Sequence, residues 1–350
     1  MSLEAGGAPY PWLEGTWRTL LKLVAEQRLP HALLLTGTSG VGKQALAEAF
    51  AQYLACRDRG EQGACGQCSA CQQFLAGSWP DFHQVTMLVN EKTGKLKKQI
   101  GVDQVRELAA EIGMTAQQGG WKTVLLQPAD AMTVNAANSL LKTLEEPPDN
   151  SLLMLVTSRP ASLLPTIRSR CQQLKLAGPS AEEGEAWLKA QDVKLPGPAL
   201  AQAGGAPLAA LELAKDEFLA ERAGLLKTLV DLNHGARSVP SAAAEFDKIG
   251  AANVLKWLDS LLEDLIRANQ LGVTETGSSG GWRNPDLLKS LKSLAEGLHL
   301  ESMHRFRQAV RQAVRLEERS NVVPLQLLES LLVAWARRLD TRTVDQLLEG

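Results

Sequence analysis

A chain of 350 residues, 45% hydrophobic and 22% charged, is long enough to bury two or three cores and too apolar for a disordered, collagen-like or mucin-like polypeptide. Its 37 Lys and Arg against 39 Asp and Glu leave a formal charge of -2, which argues against a strongly basic nucleic-acid coat while leaving room for a local basic stripe. Four of the five cysteines crowd into residues 56–71, unlike a disulfide scaffold. With no basic-then-apolar leader pattern and no apolar run long enough for a bilayer, a cytoplasmic location and no membrane partner are expected.

In chain order, Trp12, Trp17, Leu20, Leu21 and Val24 recur at roughly helical spacing until Pro30 ends the pattern. His31–Thr36 is a short apolar run that meets a glycine-rich turn, followed by a helical pattern over Lys43–Cys56. Strand, tight turn and helix open an α/β nucleotide-binding domain. A second strand is expected over Phe82–Val89, then a basic turn (EKTGKLKKQ) read as a solvated loop, then a helix over Val102–Ile112. Thr123–Leu126, Leu152–Thr157 and Gln173–Leu176 read as further strands, with a helix at Ala136–Leu144 stopped by Pro147-Pro148. Residues 1–175 are therefore expected to form a doubly wound parallel sheet.

Beyond Leu176 the pattern turns helical. Ser180 and Glu183 have capping-box spacing, and two short helices flank Gly204-Gly205, so residues 176–215 read as a small helical lid. Residues 216–350 read as an all-helical domain, broken by a loop at 274–285 that is expected to be mobile. Arg305, Arg307, Arg311 and Arg315 line one polar face there, either solvated or against a partner.

Gly37-Thr38-Ser39-Gly40-Val41-Gly42-Lys43 is a phosphate-binding loop until its last position. The glycines let backbone N–H groups turn onto phosphate oxygens, the lysine supplies a point charge, and a following Ser or Thr holds magnesium. Here that position is Gln44. The acidic pair expected at the end of a later strand is Gln127-Pro128, leaving Asp130 as a displaced alternative. Losing both parts of the metal and water machinery predicts an inactive ATPase relative. Gly37, Gly40, Gly42 and Lys43 then form a vestigial pocket that binds ATP weakly or not at all.

Cys56, Cys65, Cys68 and Cys71 follow C-x8-C-x2-C-x2-C. Four thiolates with CxxC chelation suit a closed, structural Zn2+ site; a redox CxxC, unliganded thiols or an iron–sulfur cluster are the alternatives. No ligand role is expected for His83. Cys171 reads as a small buried side chain. Arg168 and Arg170 flank Ser169 and, on residue chemistry alone, either is an ordinary surface charge.

Taken together, RLPHALLL at 28–35, the degenerate loop, the four-cysteine insertion, PDFH at 80–83, SLLKTLEEPP at 139–148 and TIRSRC at 166–171 resemble the AAA+ clamp-loader family of the bacterial DNA polymerase III holoenzyme. The resemblance covers roughly residues 10–215, and the helical C-terminal third agrees in length and character with the family's oligomerisation collar. It implies an AAA+ P-loop domain with a lid and a collar. Of the family's members, the non-hydrolysing one fits better than the motor. Besides Gln44 and Gln127-Pro128, Leu208 stands where a motor carries its sensor arginine, while Thr157 matches the polar sensor.

The resemblance further implies that Arg170, placed by Ser169 and Cys171, is an arginine finger acting in trans on a neighbour's ATP site. The implied partners are three motor (gamma/tau) subunits and delta in a five-subunit arc. The sliding clamp and primer–template DNA would be engaged through that assembly. Two rival readings are an active AAA+ motor subunit and a zinc-stabilised scaffold in another nucleic-acid complex.

Overall fold

A computed structural model describes residues 8–89, 94, 96–114, 116–118, 120–215, 218–271, 281–295, 297–319 and 324–340. The chain divides into two compact units, Met1–Gly178 and Pro179–Gly350. Most of the expected loop at 274–285 and part of the basic turn at 91–99 lie outside the described residues. Among those described, no helix is long and apolar enough to cross a membrane.

In the first unit, α1 (Glu14–Ala25) precedes β1 (Ala32–Thr36), α2 (Lys43–Ala55) and α3 (Ser69–Leu75). Next come β2 (Phe82–Val85), α4 (Val102–Gly113), β3 (Lys122–Leu126) and α5 (Val134–Glu145), and then β4 (Ser151–Thr157), α6 (Pro165–Arg170) and β5 (Gln172–Lys175). All pairings are parallel, in the order β2-β3-β4-β1-β5. Every residue of β1, β3 and β4 is buried, as continuous apolar strands covered on both faces must be. The edge strands β2 (FHQV) and β5 (QQLK) are polar and partly exposed, which blunts the sheet's free edges.

One face of the sheet is closed by α4, α5 and α6 through Val105, Leu108, Leu140, Leu144 and Ile167. On α2, Phe50 meets Trp17 of α1 edge-on, with ring centroids 6.1 Å apart. The second unit holds α7 (Ala181–Ala190), α8 (Pro196–Gln202) and α9 (Pro207–Lys215) around a small core of Leu188, Ala199, Leu200 and Ala210. The expected capping box is formed, with Ser180 Oγ accepting from Glu183 N and Glu183 accepting from Ser180 N. A larger core joins α10 (Phe218–Asn233), α11 (Val239–Ile249), α12 (Ala251–Leu271), α13 (Leu288–Ala295), α14 (Leu300–Arg319) and α15 (Pro324–Ala336) around Trp257, Phe306 and Trp335.

Three helices, α3, α6 and α11, have no counterpart in the sequence reading. The six-residue α6 is too short to show a period, and α11 (VPSAAAEFDKI) buries Ala242, Ala243 and Phe246 at helical spacing, a signal the reading passed over. Helix α3 begins inside the cysteine segment and owes its place to burying Cys71 and Phe74. The second strand also stops at Val85, short of the expected Val89, which instead bridges Leu96 in an antiparallel contact.

Candidate functional site

The phosphate loop leaves the C-terminal end of β1. Gly37 and Gly42 have φ of +148° and +95°, and a Cβ on Gly37 would sit 2.6 Å from Leu176 O. Only glycine accepts both that backbone and that approach. The lysine folds back onto its own loop: Lys43 Nζ donates to Gly37 O (2.9 Å), Thr38 O (2.8 Å) and Ser158 Oγ (2.9 Å). An ammonium has three protons, so all are engaged. Burial brings the Lys43 pKa down to about 8, against the opposing pull of the Asp130 charge.

An N-terminal strap lies over the loop, a feature the helical reading of this region missed. Trp12 Nε1 donates to Val41 O at 2.9 Å, and Tyr10 stacks on Trp12 with ring centroids 4.9 Å apart. A Cβ on Gly42 would meet the Tyr10 ring at 2.6 Å. Pro11 opens the short 3-10 turn Pro11–Leu13 that precedes α1, a position that suits its fixed φ and missing N–H.

The positions where the sequence departs from the ATPase pattern have partners within the chain. The Gln44 amide donates to Glu48 Oε1 along α2 at 2.8 Å. Asp130, the displaced alternative, is fully engaged: its carboxylate accepts from Thr157 Oγ1 at 2.6 Å and from Arg159 Nε at 2.8 Å. The Thr157 hydroxyl in turn accepts from Arg159 N. Ser158, which no motif pointed to, owes its contact with Lys43 to β4 lying beside β1. Leu208 sits half-buried on α9.

The four cysteines converge, every Sγ within 4.8 Å of the others. The shortest separations are 3.5 Å (Cys56–Cys65), 3.9 Å (Cys56–Cys68) and 4.0 Å (Cys65–Cys71). A tetrahedron of sulfurs about 2.3 Å from one ion has edges of about 3.8 Å, so the donor set fits a four-coordinate metal. Cys65 N and Cys68 N point at Cys56 Sγ and Cys65 Sγ, each at 3.3 Å. Burial opposes ionisation of Cys68, but N–H groups of Cys71 and Arg57 outweigh it and bring the thiol to about 6. Trp17 Nε1 donates to Gln62 O and ties the intervening loop to α1. His83 pairs instead with Glu111, 2.8 Å away.

At the opposite rim of the sheet, α6 ends immediately before β5. Ile167, fully buried, anchors it. Ser169 Oγ donates to Thr166 O, and Arg170 binds Glu145 Oε1 at 2.6 Å and Thr166 O at 3.1 Å. Glu145 closes the last turn of α5. Cys171 is buried, which pushes its thiol up to about 11. Because β1 and β5 are parallel, Arg170 and the phosphate loop lie at opposite ends of neighbouring strands.

The arginine face of the C-terminal helices is mostly spent within the chain. Arg307 binds Asp259 and Glu263, Arg311 binds Asp259, and Arg305 binds Glu301. Arg305 and Arg311 remain substantially exposed in these pairs, whereas Arg307 is largely covered.

A parallel sheet carrying a degenerate phosphate loop, followed by a helical unit, places the chain in the AAA+ fold class. Residues 12–180 match the family described as DNA polymerase III, delta subunit, and residues 216–337 match its C-terminal counterpart. The chain is 34% identical to DNA polymerase III subunit delta' of Pseudomonas aeruginosa, over 93% of this chain and 97% of that protein. Identity is 35% to the Yersinia pestis protein of the same name (97% and 98% covered) and 37% to that of Escherichia coli (74% and 76% covered). The chain belongs to the DNA polymerase III subunit delta' family.

Proposed function

We propose that this chain is a catalytically silent clamp-loader subunit that supplies Arg170 in trans to the ATPase site of a neighbouring motor subunit. The observation that carries the reading is the position of Arg170. It is a part-exposed guanidinium at the rim opposite its own phosphate loop, about 13 Å away by the rise of a four-residue strand, and so is useless in cis. There it can neutralise charge on a neighbour's γ-phosphate, with Ser169 and buried Cys171 fixing the end of α6. Silence in cis is supported by Gln44, by an engaged Asp130 and by a Lys43 whose protons are all bound. The pocket is vestigial, closed over by Tyr10 and Trp12.

In this reading α7–α9 form the lid and α10–α15 the collar that assembles with the motor (gamma/tau) and delta subunits. The assembly opens the sliding clamp and places it on primed DNA in the bacterial cytoplasm. Cys56, Cys65, Cys68 and Cys71 hold a structural zinc ion that crosslinks the 56–71 loop and leaves no open coordination position.

The test is clamp- and DNA-stimulated ATP hydrolysis by a reconstituted loader containing this chain or its Arg170→Ala variant, with the isolated chain as baseline. No turnover alone, normal assembly of the variant and a large loss of stimulated turnover are expected. Turnover by the isolated chain would overturn the silence. A fully active variant complex would reduce the role to scaffolding.

A further inference from the structure

The cysteine cluster carries beside it a cleft that neither the phosphate loop nor the arginine rim uses. Its volume is about 520 Å³, the size of a small-ligand site. Arg57, Arg59, Trp79, Gln118, Trp121 and Asn150 line it, over a floor of Leu54 and Ala55. These residues come from four separate stretches of chain, and only the fold brings them together.

Charge sets the chemistry. Several arginines elsewhere are neutralised by carboxylates: Arg159 by Asp130, Arg170 by Glu145, Arg222 by Asp286, Arg307 by Asp259 and Glu263. Arg57 instead bonds the neutral Gln118 amide at 2.8 Å, and Arg59 lies 5.4 Å from the centre of the Tyr53 ring. Among the described residues neither has a carboxylate partner, and no Asp or Glu lines the cleft. Two uncompensated guanidinium groups call for an anion.

The aromatic content narrows the anion. Trp121 is half-buried, Trp79 is buried, and Gln118 and Asn150 present amides at an exposed margin. A half-buried indole beside guanidinium groups and side-chain amides is the set that holds an unstacked base by its face and edges and the backbone by its charge. We infer that this cleft binds single-stranded nucleic acid, with one base against Trp121 and its flanking phosphates on Arg57 and Arg59. Asp58 and Glu61 neighbour the arginines in sequence and weaken the local field, so binding is modest and steeply salt-dependent.

The test uses the full-length, metal-loaded chain and a fluorescein-labelled oligothymidylate, read by anisotropy across a salt series. Trp121→Ala is expected to weaken binding roughly tenfold, with Trp121→Phe restoring most of it. Arg57→Gln with Arg59→Gln should flatten the salt dependence by about 1.4 in slope, two phosphates at about 0.7 each on a single strand. Metal content and melting of each variant separate lost contacts from a disturbed cysteine cluster, since Arg57 follows Cys56 directly. Photocrosslinking of a bromodeoxyuridine oligonucleotide to the unmodified chain needs no variant and should label the segment around Trp121. Crosslinks elsewhere, no measurable binding, or an oligoglutamate peptide binding these residues more tightly than the oligonucleotide would each overturn the assignment.

Discussion

In the free chain the proposed finger is not poised: Arg170 is held by Glu145 at 2.6 Å and by Thr166 O at 3.1 Å. Reaching a neighbour's phosphate requires the ion pair to open. The Arg170 side chain is 36% exposed and the Glu145 side chain 49%, so solvent already screens their attraction. A pair of that kind is worth roughly 0.2–1 kcal/mol. Glu145→Gln should therefore lower the cost of releasing Arg170 by that amount. At RT near 0.6 kcal/mol this is a roughly 1.4- to 5-fold gain in stimulated ATPase where finger insertion limits the rate. The assay is stimulated hydrolysis by the reconstituted loader, with thermal melting of the isolated variant expected to be nearly unchanged. A collapse of activity matching that of Arg170→Ala would refute the reasoning, because Glu145 would then be needed in the assembled site itself.

Three further outcomes follow from other parts of the chain. One zinc ion per chain is expected by elemental analysis. Cys71→Ser or strong chelation should lower the melting temperature and expose the 56–71 loop to proteolysis; iron, or no metal at all, would reject the zinc assignment. Lys43 should titrate near pH 8, observed at its side-chain carbon by NMR. Its folded pKa lies below the unfolded value, so the unfolded chain binds the extra proton between about 8 and 10.5, and this residue makes stability rise with pH across that window. Arg222→Met removes a fully buried guanidinium that bonds Asn284 Oδ1 and Asp286. Asn284 Oδ1 keeps its donors from Trp257 and Gln202, and Asp286 can hydrate. The cost in chemical denaturation should therefore be about 1–3 kcal/mol, below the usual penalty for breaking a buried pair.

Much of this protein is legible in the sequence because the relevant signals are local. The apolar runs at His31–Thr36, Thr123–Leu126 and Leu152–Thr157 mark the central strands to within a residue, because a strand covered on both faces needs no polar alternation. The glycine and lysine spacing after β1, the Ser180–Glu183 cap and the CxxC pairs likewise act over a few residues. The sequence by itself therefore determined the fold class, the glycine-rich loop after β1 and the four cysteines that cluster. Only the tertiary structure decided what each polar atom meets. That Asp130 is engaged by Thr157 and Arg159, that Ser158 caps Lys43, and that Tyr10 and Trp12 cover the loop depend on where distant segments return. So do the pairing of Arg170 with Glu145 and the gathering of Arg57, Arg59 and Trp121 into one cleft. The physical reason is range: backbone preference and side-chain periodicity are written within a few residues, whereas charge compensation is settled by partners tens of residues away.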